Sequence, residues 1–154
     1  MFFRFIVIIL FFLSFNAASV LAQAQAVTFK HDQLALEASG KRHRFTIEIA
    51  QTPQQQELGL MHRTKFADNQ GMLFINDEER IMDMWMKNTL ISLDMLFIDK
   101  RGKVVYIAPR TTPLSLKSIG PGLPVKAVLE LKGGVCQKLG IQAGDRVIHP
   151  FFTP

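Results

Sequence analysis

The stretch IMDMWMKNTLISLDMLFIDKRGK, residues 81–103, decides the fold that the sequence predicts. It contains the only tryptophan, Trp85, and four of the seven methionines, so apolar and chemically distinctive side chains are concentrated here. In residues 81–88 the methionines occupy every second position, and successive side chains of a β-strand point to opposite faces. The alternation therefore predicts a strand with a methionine stripe on one face.

Two more strands are predicted directly after this one, at residues 94–98 and 103–108. Between them, DKRG at 99–102 is typical of a turn, with glycine where a positive φ is expected. Residues 81–108 together predict three adjacent antiparallel strands.

The rest of the chain adds strands and little helix. The sequence TPQQ predicts a helix start, with Thr52 as the cap and Pro53 in the first turn, and the helix is expected to run to about residue 63. A second, short helix is predicted at 133–139, a charged turn at 76–80 and a long surface loop at 109–124. Further strands are predicted at residues 27–30, 34–38, 43–50, 71–75, 125–131 and 145–149.

These elements predict a mainly β (α+β) fold: a compact, largely antiparallel sheet or barrel-like single domain with one or two short helices. At 154 residues the chain has the length of one domain. It contains a single cysteine, so no internal disulfide is expected and the core must hold the fold.

The first 22 residues have the order of a secretory signal peptide: a basic start, an apolar run and small residues at the end. Cleavage is expected after Ala22, with Ala24 and Ala26 as alternatives, leaving residues 23–26 as a leader and 27–154 as one globular domain. The competing interpretation, an uncleaved anchor, needs a longer apolar run than this one. A periplasmic or secreted location follows. The charge of +5 therefore does not indicate a nucleic-acid partner, and membrane contact is expected only through the signal segment before cleavage.

Several motifs occur in a characteristic order along the chain: TPQQQELGLMHR, GMLF, WMKNTLISLDMLFID, and VLEL followed by GIQAGD. Over about residues 44–147 they resemble the domain of unknown function 192 family, also catalogued as uncharacterised protein family 0127. The resemblance implies a compact, mostly β domain that is often exported and has no assigned reaction. One departure is Ser92, where the family usually has proline.

The first candidate site lies around the turn that follows the methionine stripe. In a hairpin centred there, Lys87 and Asp94 would lie opposite each other and form an ion pair. One interpretation is a polar pocket beside Trp85, in which Lys87 and Asn88 donate to a carboxylate, sulfate or glycan oxygen, and Thr89 lies in the same motif. The other is a structural ion pair, with Asn88 bonded to its own turn.

A second acid, Glu130, lies within the apolar VLEL strand. The sequence leaves two alternatives for it: a partner for Lys87 or Lys126, or an outward-facing strand residue. The function expected is a non-enzymatic binding or accessory module for an anionic or glycan-like ligand, or for an envelope protein, which uses this turn and the loop 109–124. The alternative is a small hydrolase or transferase with Asp94 or Glu130 as general base, although neither acid has a recognisable catalytic partner in the sequence.

No cofactor and no metal are predicted. Thioethers select Cu(I), but Met82 and Met86 would lie about 13 Å apart along a strand, which favours core packing. Cys136 begins a short predicted helix, whose dipole would lower the thiol pKa, but a small buried residue is the default expectation. The four histidines have no metal-ligand spacing.

Overall fold

A computed structural model describes residues 26–152. Seven strands and two helices follow one another in this part of the chain, and they confirm the predicted mainly β domain with two short helices. The predicted signal peptide, 1–22, lies outside the described residues, as do the first three residues of the leader. The elements are β1 (Lys30–Ala38), β2 (Lys41–Ala50), α1 (Pro53–Leu58), β3 (Gln70–Ile81), β4 (Leu93–Ile98), β5 (Val104–Ala108), β6 (Pro124–Lys132), α2 (Val135–Leu139) and β7 (Arg146–Ile148).

All seven strands belong to one curled sheet with the order β5-β4-β6-β3-β2-β1-β7. Every neighbouring pair is antiparallel except β2 and β3, which run parallel. A parallel pair needs a crossover connection, and α1 lies in that connection. The predicted largely antiparallel sheet is therefore confirmed.

The two edges of the sheet approach each other, so that the sheet resembles a half-barrel. The N–H of Val147 donates to the carbonyl oxygen of Gly102 at 2.8 Å, and Lys103 forms a bridge with Arg146. Gly102 has a φ of +82°, and a Cβ at this position would collide with the Val147 carbonyl oxygen. Glycine is therefore required where the edges meet.

The sheet packs an apolar cluster on each face. Along β6, Leu129 and Leu131 belong to the first cluster and Val128 to the second, as the alternation of strand side chains requires. The second cluster is rich in methionine and phenylalanine: Ala50, Leu60, Phe66, Met72, Phe74, Met82, Met86, Leu93, Met95, Phe97, Ala108, Val125 and Val128.

The predicted strand at residues 81–88 is wrong. β3 extends through the predicted charged turn at 76–80 as far as Ile81, with a register shift in its second half. β4 pairs with β5 on one side and with β6 on the other, so β6 takes the place predicted for residues 81–88. Of the three predicted neighbouring strands, only the β4–β5 hairpin is confirmed.

Residues 82–89 pair instead with the long predicted loop at 109–124, in which residues 109–123 belong to no helix or named strand and Pro124 begins β6. The N–H of Met84 donates to the Ile119 carbonyl oxygen, and the N–H of Met86 donates to that of Ser115, both at 2.9 Å. The two irregular segments therefore satisfy each other's backbone groups.

Two boundaries also differ from the prediction. In place of the two strands expected at 27–30 and 34–38 there is one strand, β1, which begins at Lys30 and leaves residues 27–29 outside it. In α1 the predicted capping box of Thr52 and Gln55 is present, but the helix ends at Leu58 because Gly59 has a φ of +47°.

Candidate functional site

A cleft of about 310 Å³ lies between α1 with its following turn and the irregular segment 82–89. Its volume is at the small end of the range for ligand pockets. Most of its wall is apolar, and its charged members belong to four different segments. The lining residues are Gln56, Glu57, Leu58, Gly59, Leu60, Met61, Phe74, Arg80, Met82, Asp83, Met84, Trp85, Lys87, Thr89 and Glu130.

Glu130 lines this cleft from the central strand β6, and it is only 4% exposed. Its neighbours across the sheet are Met72 and Met95, one on each adjacent strand. Burial alone raises the pKa of Glu130 to about 8, and no hydrogen bond or charge from residues 26–152 contributes. The carboxyl group therefore holds its proton at neutral pH.

Both alternatives predicted for Glu130 are wrong. It is not an outward-facing residue, because β6 is covered on both faces. It pairs with neither lysine: the Nζ of Lys126 donates to the Asp77 carbonyl oxygen, and the Nζ of Lys87 lies 5.1 Å from the ring centroid of Trp85.

Lys87 and Trp85 form one side of the cleft mouth, where Trp85 is 47% exposed. The cleft wall contains a second cation, Arg80, and this group is also engaged. Its Nε donates to Asn76 Oδ1 at 2.8 Å, and its guanidinium contacts Gln56 Oε1 at 3.3 Å. Neither cation of the wall therefore neutralises Glu130.

Asn88 and Thr89 complete the turn that carries this wall. The N–H of Thr89 donates to the Met86 carbonyl oxygen at 3.0 Å, and Asn88 has a φ of +54°, which asparagine tolerates better than most residues. The Asn88 carbonyl oxygen accepts the N–H of His62 at 2.9 Å, which ties the turn to the segment after α1. Thr89 lines the cleft, whereas Asn88 does not.

Asp94 lies outside the cleft, and the predicted ion pair between Lys87 and Asp94 is not formed by the described residues. The carboxylate is 1% exposed and accepts backbone N–H groups of Arg110 at 2.8 Å, Gly134 at 3.0 Å and Cys136 at 2.8 Å. It therefore caps the start of α2 and holds the beginning of the loop 109–124.

Opposite strand faces explain why the two acids do not meet. Asp94 pairs with Leu131 in the β4–β6 register, and Met95 pairs with Glu130. Adjacent positions point to opposite faces, so Asp94 and Glu130 lie on opposite sides of the sheet.

Cys136 is buried, as its default interpretation predicts. A lowered thiol pKa is the wrong expectation: burial raises the pKa of Cys136 well above its usual range, and the neighbouring Asp94 carboxylate adds to the effect. Its thiol is therefore inert.

The core role predicted for Met82 and Met86 is confirmed, since both are buried in the second cluster. Their sulfur atoms accept hydrogen bonds from Asn76 Nδ2 at 2.7 Å and Thr111 Oγ1 at 3.1 Å. Within residues 26–152, no group of three His, Cys, Asp or Glu side chains has the spacing to hold a metal ion.

Sequence reasoning brought Trp85, Lys87, Thr89 and Glu130 into the candidate site, and all four line the cleft. It missed the α1 side of the cleft, including Met61. The available signal was that TPQQQELGLMHR and WMKNT are two of the motifs in the family resemblance, and these two distant segments meet across the cleft.

Comparison with known proteins gives the family of this chain. The family model DUF192, described as "Uncharacterized ACR", matches residues 34–149, and the chain belongs to this family. No curated protein matches its sequence. No helix among the described residues is long and apolar enough to cross a membrane.

Two crystal structures have the same fold. A candidate transcription regulator from Sinorhizobium meliloti 1021 is 39% identical, with a TM-score of 0.80 over 82% of this chain and 98% of that one. A protein of unknown function from Novosphingobium aromaticivorans DSM 12444 is 32% identical, with a TM-score of 0.75 over 80% of this chain and 94% of that one.

Proposed function

We propose that this protein is a non-enzymatic binding module that holds a small ligand in the cleft between α1 and residues 82–89. The observation that carries this proposal is Glu130, a buried acid without a partner among the described residues, on the wall of a cleft. Buried polar groups are normally satisfied inside proteins, and exceptions need a reason. A bound ligand supplies that reason.

The cost of Glu130 to the fold supports the same proposal. An acid placed between Met72 and Met95 loses most of its hydration and gains no hydrogen bond from the described residues. A methionine or leucine would fit this core strand at no such cost. Residues kept at the expense of stability are typical of functional sites.

We also propose that the protein acts in the periplasm or outside the cell, as its first 22 residues suggest. The mass of the protein recovered from the host envelope tests this proposal. A mass that begins at residue 23, 25 or 27 is expected, and a full-length mass that begins at Met1 would contradict it.

A small hydrolase or transferase is the second candidate, because a pKa of about 8 suits a general base. Asp94 is no longer a candidate for this role, since backbone N–H groups occupy it. Among residues 26–152, Thr89 provides the only hydroxyl group on the cleft wall, and this group donates to the Lys87 carbonyl oxygen at 3.2 Å. No nucleophile on the wall is paired with Glu130, so binding is the better-supported function.

The description of the S. meliloti relative suggests a role in regulation. A nucleic-acid surface needs free cations, and several basic groups of this chain are paired with acids. Lys132 and Lys138 both contact Asp68, at 2.9 and 2.7 Å, and Arg42 contacts Glu37. These pairs favour a ligand-binding role for this chain.

A fragment screen tests the binding proposal directly. The full chain is expressed, and the purified protein is titrated with small fragments while the emission of Trp85, the only tryptophan, is followed. Fragments that bind the cleft should shift this emission and raise the melting temperature.

Two variants separate cleft binding from other effects. Glu130→Gln changes the cleft, whereas the exposed Glu37→Gln makes the same chemical substitution at a distant surface pair. The affinity of a fragment that binds the cleft should change in Glu130→Gln and stay the same in Glu37→Gln. A screen in which no fragment responds to Glu130→Gln would overturn the proposal.

A further inference from the structure

The charges around the cleft are arranged so that its buried acid has no internal counterion. The charged groups that line it are Glu57 of α1, Arg80 of β3, and Asp83 and Lys87 of the segment 82–89. Arg80 is bonded to Asn76, and Lys87 lies over Trp85. A positive charge brought by a ligand is the complement that the described residues do not provide.

The walls of the cleft are suited to a soft, weakly hydrated cation. Met61 and Met84 provide polarizable thioethers, and Trp85 provides an aromatic ring at the mouth. Ammonium groups are attracted to aromatic faces, and quaternary ammonium ligands are recognised by aromatic surroundings.

We propose that the cleft binds an organic cation, a substituted ammonium group that pairs with Glu130, lies against the methionine side chains and takes the place of the Lys87 ammonium group on the ring of Trp85. This inference rests on the proposed binding function and names the charge of its ligand. It differs from the anionic or glycan-like ligand expected from the sequence, which becomes one outcome of the test.

Ion pairing in the cleft is coupled to proton release. Glu130 pairs with a cation only when it is ionised, and burial raises its pKa to about 8. At pH 7 the bound cation therefore displaces a proton from the carboxyl group to the buffer. Affinity should rise about tenfold per pH unit below pH 8 and level off above it.

Three probes of nearly the same shape and different charge test the proposal: choline, its uncharged isostere 3,3-dimethylbutan-1-ol, and 3,3-dimethylbutanoate. Each is titrated into the purified protein at pH 8.5 while Trp85 emission is followed. We expect choline to bind at least about tenfold more tightly than the alcohol, and the carboxylate to bind most weakly.

Glu130→Gln provides the matched variant, because the amide keeps the shape of the side chain and cannot ionise. It should lower choline affinity about tenfold, abolish its pH dependence and leave binding of the alcohol within about twofold. Glu37→Gln should change none of these values.

The outcomes separate this inference from the proposed function. Equal affinity for choline and the alcohol would overturn the cationic ligand while leaving the cleft as a binding site. Tightest binding of the carboxylate would overturn it in favour of an anionic ligand. If none of the three probes changes Trp85 emission or the amide NMR signals of the cleft, the inference fails, and the fragment screen decides the proposed function separately.

Discussion

Two buried carboxyl groups occupy neighbouring positions of the sheet and have opposite surroundings. Asp94 on β4 is 1% exposed and accepts three backbone N–H groups, so its charge is satisfied by the fold. Glu130 on β6 is 4% exposed and has no partner among the described residues. Burial alone thus does not mark a functional acid, and the difference lies in whether the fold satisfies the carboxyl group.

The two acids also differ in what they hold together. Asp94 joins α2 to the start of the loop at 109–124, two segments far apart in sequence. Glu130 faces a cleft, and among the described residues no hydrogen bond of its carboxyl group connects one segment to another. We therefore interpret Asp94 as a structural residue and Glu130 as a binding residue, and the following variants test this contrast.

The largest effect is expected at Asp94. Asp94→Ala leaves three N–H groups without an acceptor, and of the two at the start of α2, that of Cys136 is buried and that of Gly134 is half-buried. The free energy of unfolding should fall by about 3–5 kcal/mol, measured by urea denaturation. Asp94→Asn keeps one acceptor oxygen and should lose about half as much. A loss below about 1 kcal/mol for the alanine variant would contradict the structural role.

At Glu130 the expected effect depends on pH. Its pKa is raised on folding, from 4.5 to about 8, so its favourable contribution is complete below pH 4.5 and is lost as the pH rises through 8. Between pH 5 and pH 8 the wild type should lose on the order of 3 kcal/mol relative to Glu130→Gln. Denaturation curves of both proteins across this range provide the measurement. If the free energies of unfolding of the two proteins change with pH in the same way, Glu130 is solvated like an ordinary acid.

A smaller effect is expected at the turn that forms the cleft wall. Asn88 has a positive φ, so Asn88→Ala should lower the free energy of unfolding by about 1 kcal/mol. Asn88→Gly, which adopts this conformation without strain, is the matched control and should be close to neutral. A glycine variant as unstable as the alanine variant would show that the side chain, rather than the backbone, matters here.

The smallest effect is expected at Lys87. Its ammonium group lies over Trp85 at the surface, a contact worth about 0.5–1 kcal/mol. Lys87→Ala should change stability by no more than this amount and should shift Trp85 emission. A loss of several kcal/mol would mean that Lys87 is part of a buried network after all.

The fold class could be predicted from the sequence because it depends on local patterns. The capping residues Thr52 and Gln55 and the buried runs of β4 and β6 are visible in single stretches of the chain. Residues 81–88 could not be placed from the sequence. Their alternation fits a strand of the sheet as well as it fits the irregular segment that they form. Their location follows from β6, which lies some forty positions later and takes the place beside β4.

The candidate site could be predicted only in part. Glu130 attracts attention as an acid within an apolar strand, but its lack of a partner depends on contacts from three other segments. The sequence predicts an ion pair between Asp94 and Lys87, because a hairpin centred on the turn would place the two side chains together. The register instead turns Asp94 toward α2, and sequence spacing alone does not show which face of a strand a residue occupies.

The protonation of Glu130 in the folded protein tests the central claim most directly. The carboxyl carbon of Glu130 is followed by ¹³C NMR across a pH titration, with Glu130→Gln used to assign its signal. We predict a titration midpoint of about 8, which moves to lower pH when choline is bound. A midpoint near 4.5 that choline does not change would contradict the account.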